Sequence, residues 1–418
     1  MTVRVSRLAN GMTVATDRMP EVETAAVGVW VAAGARNERP EINGIAHLLE
    51  HMAFKGTRRR SALAIAEEIE AVGGHLNAYT SRESTAYYVR ILKDDMRLAV
   101  DLLADILQHS VFDETELRRE RDVVLQEIGQ ANDTPDDIVF DHFQAAAFPE
   151  QPLGRPVLGT AESVGALPRA ALFDYMAAHY HGPHMVLAAA GHVDHDALLA
   201  LAEEAFSELP ATVDNGPVPA RYAGGAHVEL RELEQVHVLF GFRGVSFTDP
   251  EHDALAVLST LFGGGMSSRL FREVREKRGL VYSIYSFHTS YTDDGLFGIY
   301  AGTGPERVDA LVPVICDEIG KLARAVDEEE VARARIQLKA GHAMARESTS
   351  SRCEQLAQQI HAFGRPLSTE EIVARIEAVD GSAVTALARR LAASRLTYAA
   401  MGPTKGIPTY DSVRARLQ

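Results

Sequence analysis

The chain has 418 residues, 46% hydrophobic and 24% charged, the balance of a globular protein long enough for two to four domains. No apolar run approaches the ~20 residues of a membrane helix, and two cysteines, Cys316 and Cys353, are too few for a disulfide framework. The net charge of −16 argues against nucleic-acid binding through a broad basic surface; it favours solubility and can draw cationic peptides. The first residues lack the apolar core of a signal peptide. A cytoplasmic, reducing, bacterial setting is the expectation.

Residues 3–16 and 24–34 read as strands, and within the first Val3, Val5 and Leu8 lead to a turn signal at Asn10-Gly11. Gly44 to Thr57 then reads as a helix in which His47, Glu50 and His51 interrupt an apolar run. Residues 61–72 form a helix that Ser61 can cap and Gly73-Gly74 can end. His75 to Leu92 alternates and is rich in Tyr, Thr and Val, as a strand pair would be. Helices follow at 94–108, 112–130, 136–147 and 162–180, then a strand at Met185–Val193 and a helix to Leu209. Three Pro and three Gly within 210–225 mark a linker between two halves. The expected division is 1–212, a linker at 213–226, and 227–418.

The second half repeats the plan of the first. Val236 to Phe242 matches the strand at Val27–Val31, and 251–262 stands where the histidine-bearing helix stood. A helix at Ser268–Lys277, strands at 280–291 and 296–303, a helix at 307–325 and a strand at 396–401 complete the copy. In that copy the helix reads Ala256-Val257-Leu258-Ser259-Thr260-Leu261 and offers no ligand, so the metal motif belongs to the first half alone. Gly263-Gly264-Gly265 lacks the Lys-Ser/Thr ending of a phosphate loop.

On a helix, His47 and His51 share one face a turn apart and can hold one divalent metal, most often zinc. Glu50 lies beside them, placed to take a proton from the attacking water. The order His-x-x-Glu-His is a zinc-peptidase signature. Two histidines need a third protein ligand. Glu120 and Glu127, two turns apart on one face of the 112–130 helix, are both candidates.

Four blocks together resemble the pitrilysin, or insulin-degrading, family of inverted-motif zinc peptidases, in its short-chain group like the mitochondrial processing peptidase. They are His47 to Thr57, Gly74 to Thr85, Glu120 to Glu127 and Ser268 to Tyr282. The resemblance implies one zinc per chain on His47, His51 and Glu127. It makes Glu50 the base and Glu120 its support. Arg275 and Tyr282 would join the catalytic site from the second half, and Phe54, Asn77, Ala78 and Tyr79 would meet the substrate. The implied fold is α+β: two homologous domains, each a mainly antiparallel sheet with helices on one side, in a clamshell. The implied activity is a zinc metalloendopeptidase acting on peptides or unfolded segments in a chamber. Its expected partner is a second copy or a related subunit, with no nucleic acid and no membrane. The rival expectation is a non-catalytic or partner-dependent subunit of a heteromeric peptidase.

Overall fold

In a computed structural model, which describes residues 2–212, 216–403 and 406–417, the chain forms two compact units. Met1–Gln130, Arg155–Val218 and Met344–Pro366 make the first; Ala131–Gly154, Pro219–Ala343 and Leu367–Gln418 make the second. Each unit thus takes one helix from the other's half of the sequence, which differs from the contiguous halves 1–212 and 227–418. A helix goes where its apolar stripe finds a partner, and the long chain allows the exchange. Within the expected linker 213–226, residues 213–215 lie outside the described residues, and Gly225 and Ala226 open a strand.

The first unit is built on six strands: β1 (Val3–Arg7), β2 (Thr13–Arg18), β3 (Thr24–Val31), β4 (His75–Thr80), β5 (Thr85–Leu92) and β6 (Met185–Gly191). Their order is β1-β2-β6-β3-β5-β4, and only β2 with β6 is parallel. The stretch 3–16 forms the hairpin of β1 and β2, turned at Gly11 with φ 90°, where the Asn10-Gly11 turn signal stands. Successive side chains leave a strand on opposite faces. Val27, Val29, Val31 and Leu187 therefore face the main helical layer, including Ile45–Ala53 and Met96–Gln108. Ala26, Trp30, Ala86, Ala188 and Ala190 face one helix, Thr349–Phe363, through Cys353, Leu356, Ala357 and Ile360. The small alanines leave room for that helix close to the sheet.

The second unit has β7 (Gly225–Leu230), β8 (Val236–Arg243), β9 (Ser283–Ser290), β10 (Gly295–Thr303) and β11 (Thr397–Gly402), in the order β7-β11-β8-β10-β9. Here β7 is parallel to β11 and the other pairs are antiparallel. The order matches β2-β6-β3-β5-β4 strand for strand, as the internal repeat predicts. Its main helical layer includes His252–Gly263, Val308–Leu322 and Gly381–Ala393. The opposite face takes the helix Pro135–Ala147, whose Val139, Phe143 and Ala147 meet Leu239, Ala399 and Met401. Gly241 makes the approach possible, because a Cβ there would stand 2.3 Å from the Phe143 ring. The single main layer expected on each sheet is present, and one further helix covers each other face.

Candidate metal centre

The helix Ile45–Ala53 buries Ile45, Ala46, Leu48, Leu49, Met52 and Ala53, which leaves His47, Glu50 and His51 on its remaining face. Its entry is built tightly. Gly44 has φ 93°, a conformation that costs other residues. The Gly44 and Ala46 N–H groups donate to the Glu38 carboxylate at 2.8 and 2.9 Å, and the Asn43 amide donates to it at 2.8 Å. Glu38 thereby satisfies helix-end donors that have no partner within the helix. Burial pushes its carboxyl up to about 7 against those hydrogen bonds. Sequence reasoning missed Glu38; an acidic residue in the loop before a helix carries no distinguishing pattern.

The helix Glu114–Asp133 brings two carboxylates to this face, and their places differ. Glu127 Oε2 lies 3.7 Å from His47 Nε2 and 3.6 Å from His51 Nε2. These ligand atoms of His47, His51 and Glu127 all fall within 4.8 Å of one another. Tetrahedral zinc with ligands at ~2.0–2.2 Å sets its donor atoms ~3.3–3.5 Å apart. Glu127 Oε2 is also buried without a hydrogen-bond partner, a costly state unless something else satisfies it. The donor set and its spacing therefore fit a divalent metal. Burial first, and His51 second, lower the His47 imidazole to about 4, which keeps it in the neutral, ligating form.

Glu120 stands one step behind. It is 7% exposed, its Oε2 lies 3.1 Å from His51 Nδ1, and Lys55 Nζ donates to its Oε1 at 2.7 Å. A carboxylate on the far nitrogen of a ligating histidine sets the tautomer and the ring orientation. Lys55, which the sequence reading did not single out, holds that carboxylate in turn. Glu50 accepts a hydrogen bond of 2.6 Å from the Thr80 hydroxyl, just where β4 ends. Burial raises its carboxyl above the ordinary value, the Thr80 bond opposing.

β4 is an edge strand. Asn77 is exposed, and its side-chain oxygen accepts from the Ala78 N–H at 2.8 Å. Ala78 packs into the core on the motif-helix face. Tyr79 points to the other face, where its hydroxyl accepts from Trp30 Nε1 at 3.2 Å and donates to Glu354 at 2.9 Å. These partners hold the Tyr79 side chain against the opposite layer, so that its main chain is the part left to meet a substrate. Phe54 is half-buried at the end of the motif helix, its ring 6.2 Å from Tyr87. In the second unit, Arg275 lies on a π-helical segment, Phe271–Glu276, with its guanidinium 5.0 Å from the Phe271 ring centre. Tyr282 is 57% exposed and not a core aromatic.

The chain is similar to known zinc proteases. Residues 13–161 match the family described as Insulinase (Peptidase family M16), and residues 166–338 match Peptidase M16 inactive domain. An uncharacterized zinc protease of Rickettsia bellii is 40% identical over 400 residues, 96% of this chain and 97% of that protein. The probable mitochondrial-processing peptidase subunit beta of Arabidopsis thaliana is 41% identical over 432 residues, 99% of this chain and 81% of that one. The crystal structure of a Helicobacter pylori protease shares the fold, with a TM-score of 0.90 at 22% identity over 96% of this chain and 99% of that one.

Proposed function

The chain belongs to the insulinase (M16) peptidase family, and from that premise we propose that it is a zinc-dependent endopeptidase acting on peptides or unfolded segments. The observation that carries this is the convergence of His47 Nε2, His51 Nε2 and Glu127 Oε2. These three residues would hold one zinc ion, which when bound would supply a Lewis acid for the water and the substrate carbonyl. Glu50, beside the site, takes the proton of the attacking water and passes it to the leaving amine. The Thr80 hydroxyl orients Glu50 for both transfers. The open edge of β4 offers main-chain groups to an extended substrate, a mode that asks little of the substrate's sequence. The substrate must displace the Asn77 side chain from the Ala78 N–H. The roles of Arg275, holding a substrate carbonyl, and Tyr282, donating to the oxyanion, rest on the motif Ser268 to Tyr282 and on their exposure. A pair of identical chains is the proposed assembly.

The test is cleavage of an internally quenched peptide by the purified chain. Chelation should abolish turnover and zinc restore it. Glu50→Gln should keep its zinc and lose roughly 10²–10⁴ in turnover. Full activity without metal would overturn the reading. A second reading follows from the relative named as a subunit of a processing peptidase. On that reading the chain is inert alone and cleaves only when a related subunit is added.

A further inference from the structure

A second group of metal-ligating side chains lies in the second unit, outside the residues assigned to peptide hydrolysis. His142 is on the helix Pro135–Ala147. His227 and Glu229 are two apart on β7, so they leave the strand on the same face. That strand alternates half-buried and exposed residues, and both belong to the half-buried set. The His142 and His227 rings stack, with centres 3.9 Å apart and 16° between their planes. Glu229 Oε2 lies 3.2 Å from His142 Nε2 and 3.7 Å from His227 Nε2.

Three features make this more than a chance cluster. Both Nε2 atoms are buried, with Glu229 Oε2 as their near polar neighbour and no well-aligned hydrogen bond to it; buried groups so poorly satisfied carry a desolvation cost that a ligand removes. Arg231 donates twice to Glu229 Oε1, at 2.6 and 2.9 Å, and also to the Asn132 carbonyl. That fork fixes the carboxylate and leaves Oε2 turned to the imidazoles. The two N···O separations also bracket the ~3.3–3.5 Å edge of a tetrahedral zinc site.

We propose that His142, His227 and Glu229 bind one divalent metal ion of the zinc, nickel or cobalt class, as a structural clip between the helix Pro135–Ala147 and β7. Two imidazoles and a carboxylate suit these ions over calcium or magnesium, which prefer all-oxygen shells. The metal must lie near both ring planes, so binding splays the two rings apart from parallel. β7 is an edge strand, and the clip secures it to the helix that covers the sheet beside it. The ion here is additional to the zinc of the His47 site.

The test uses the full chain, stripped with a chelator, dialysed against Zn²⁺ alone and assayed for bound metal. Two zinc ions per chain are expected. His47→Ala should keep one, His227→Ala should keep one, and the double variant should hold none. Glu229→Gln repeats the loss without shortening the side chain, should the alanine variant fold poorly. The melting midpoint of His47→Ala should rise with added Zn²⁺, and that of the double variant should not. Because the site is read in the His47→Ala background, its failure is distinct from failure of the peptidase reading. A wild-type chain with one zinc, lost entirely in His47→Ala, would overturn the proposal. So would a second zinc that survives both His227→Ala and Glu229→Gln.

Discussion

Glu120 and Glu127 carry the same functional group, two turns apart on one helix, yet they stand at different removes from the two histidines. Spacing alone could not tell them apart, because a seven-residue interval puts both on one face. Distances do: Glu127 faces two Nε2 atoms, whereas Glu120 reaches only the back of His51 and is held there by Lys55. Removing Glu120 leaves three ligands but frees one ring to turn. Glu120→Ala should therefore weaken zinc affinity by roughly 10–100-fold, the usual cost of losing such an outer partner. Glu127→Ala should lose zinc outright. Competition with a chromophoric chelator reads both, and equal losses would erase the distinction. Glu50 sits between these cases, next to His51 on the motif helix but bonded to Thr80.

At the scale of the element, the motif helix depends on a loop that looked unremarkable. Gly44 is at φ 93°, and a Cβ there would stand 2.7 Å from the Leu158 carbonyl oxygen. Gly44→Ala meets both the strained backbone and the contact, and should cost about 1–3 kcal/mol. The expected sign is a lower melting midpoint with zinc affinity reduced as well, because the helix start carries His47. An unchanged midpoint would show that the loop relaxes freely. The helix Thr349–Phe363 makes a separate, pH-dependent contribution. His361 donates from Nε2 to the Trp30 carbonyl at 3.2 Å. Burial lowers its imidazole from 6.5 to about 4, with His184 adding to the shift. Protonation thus favours the unfolded chain. The stabilising contribution is full above about pH 6.5 and is lost as pH falls through about 4. Melting should weaken over that window, and His361→Gln, which can still donate, should narrow the difference. An identical acid slope in the variant would remove His361 from the account.

For the whole molecule, the sequence repeat and the compact units are different divisions. The repeat predicts two sheets of one plan, and the strand orders agree. The units nonetheless exchange 131–154 and 344–366 across the halves. Signals for the helices after Asp327 were available: Ser348, Ser368 and Asp380 each accept an N-terminal N–H of their helix. What no cap can state is which sheet a helix covers. The second unit's part in catalysis is tested by Tyr282→Phe, which removes one hydroxyl from an exposed ring. If that hydroxyl donates to the oxyanion, turnover should fall ~10²–10³ with zinc content and melting unchanged. Normal turnover would confine the chemistry to the first unit's residues. Solution mass of the purified chain decides between a single chain and the proposed pair.

By itself, the sequence determined the helix with its His-x-x-Glu-His order, the two carboxylates on one face of a second helix, the duplicated strand plan and the family resemblance. The two helices and the strands are patterns of residue type and spacing, which periodicity suffices to read, and the resemblance rests on four motif blocks matched as they stand in the chain. The tertiary structure alone decided which carboxylate meets both Nε2 atoms, that Glu38 and Lys55 brace the site, and that Tyr79 turns away from it. It also decided that helices cross between the halves, and that His142 meets His227 and Glu229. Each of these is a contact between distant segments, set by where apolar faces close on one another. A side chain's role at that range depends on distances of a few ångströms, which neither composition nor period encodes.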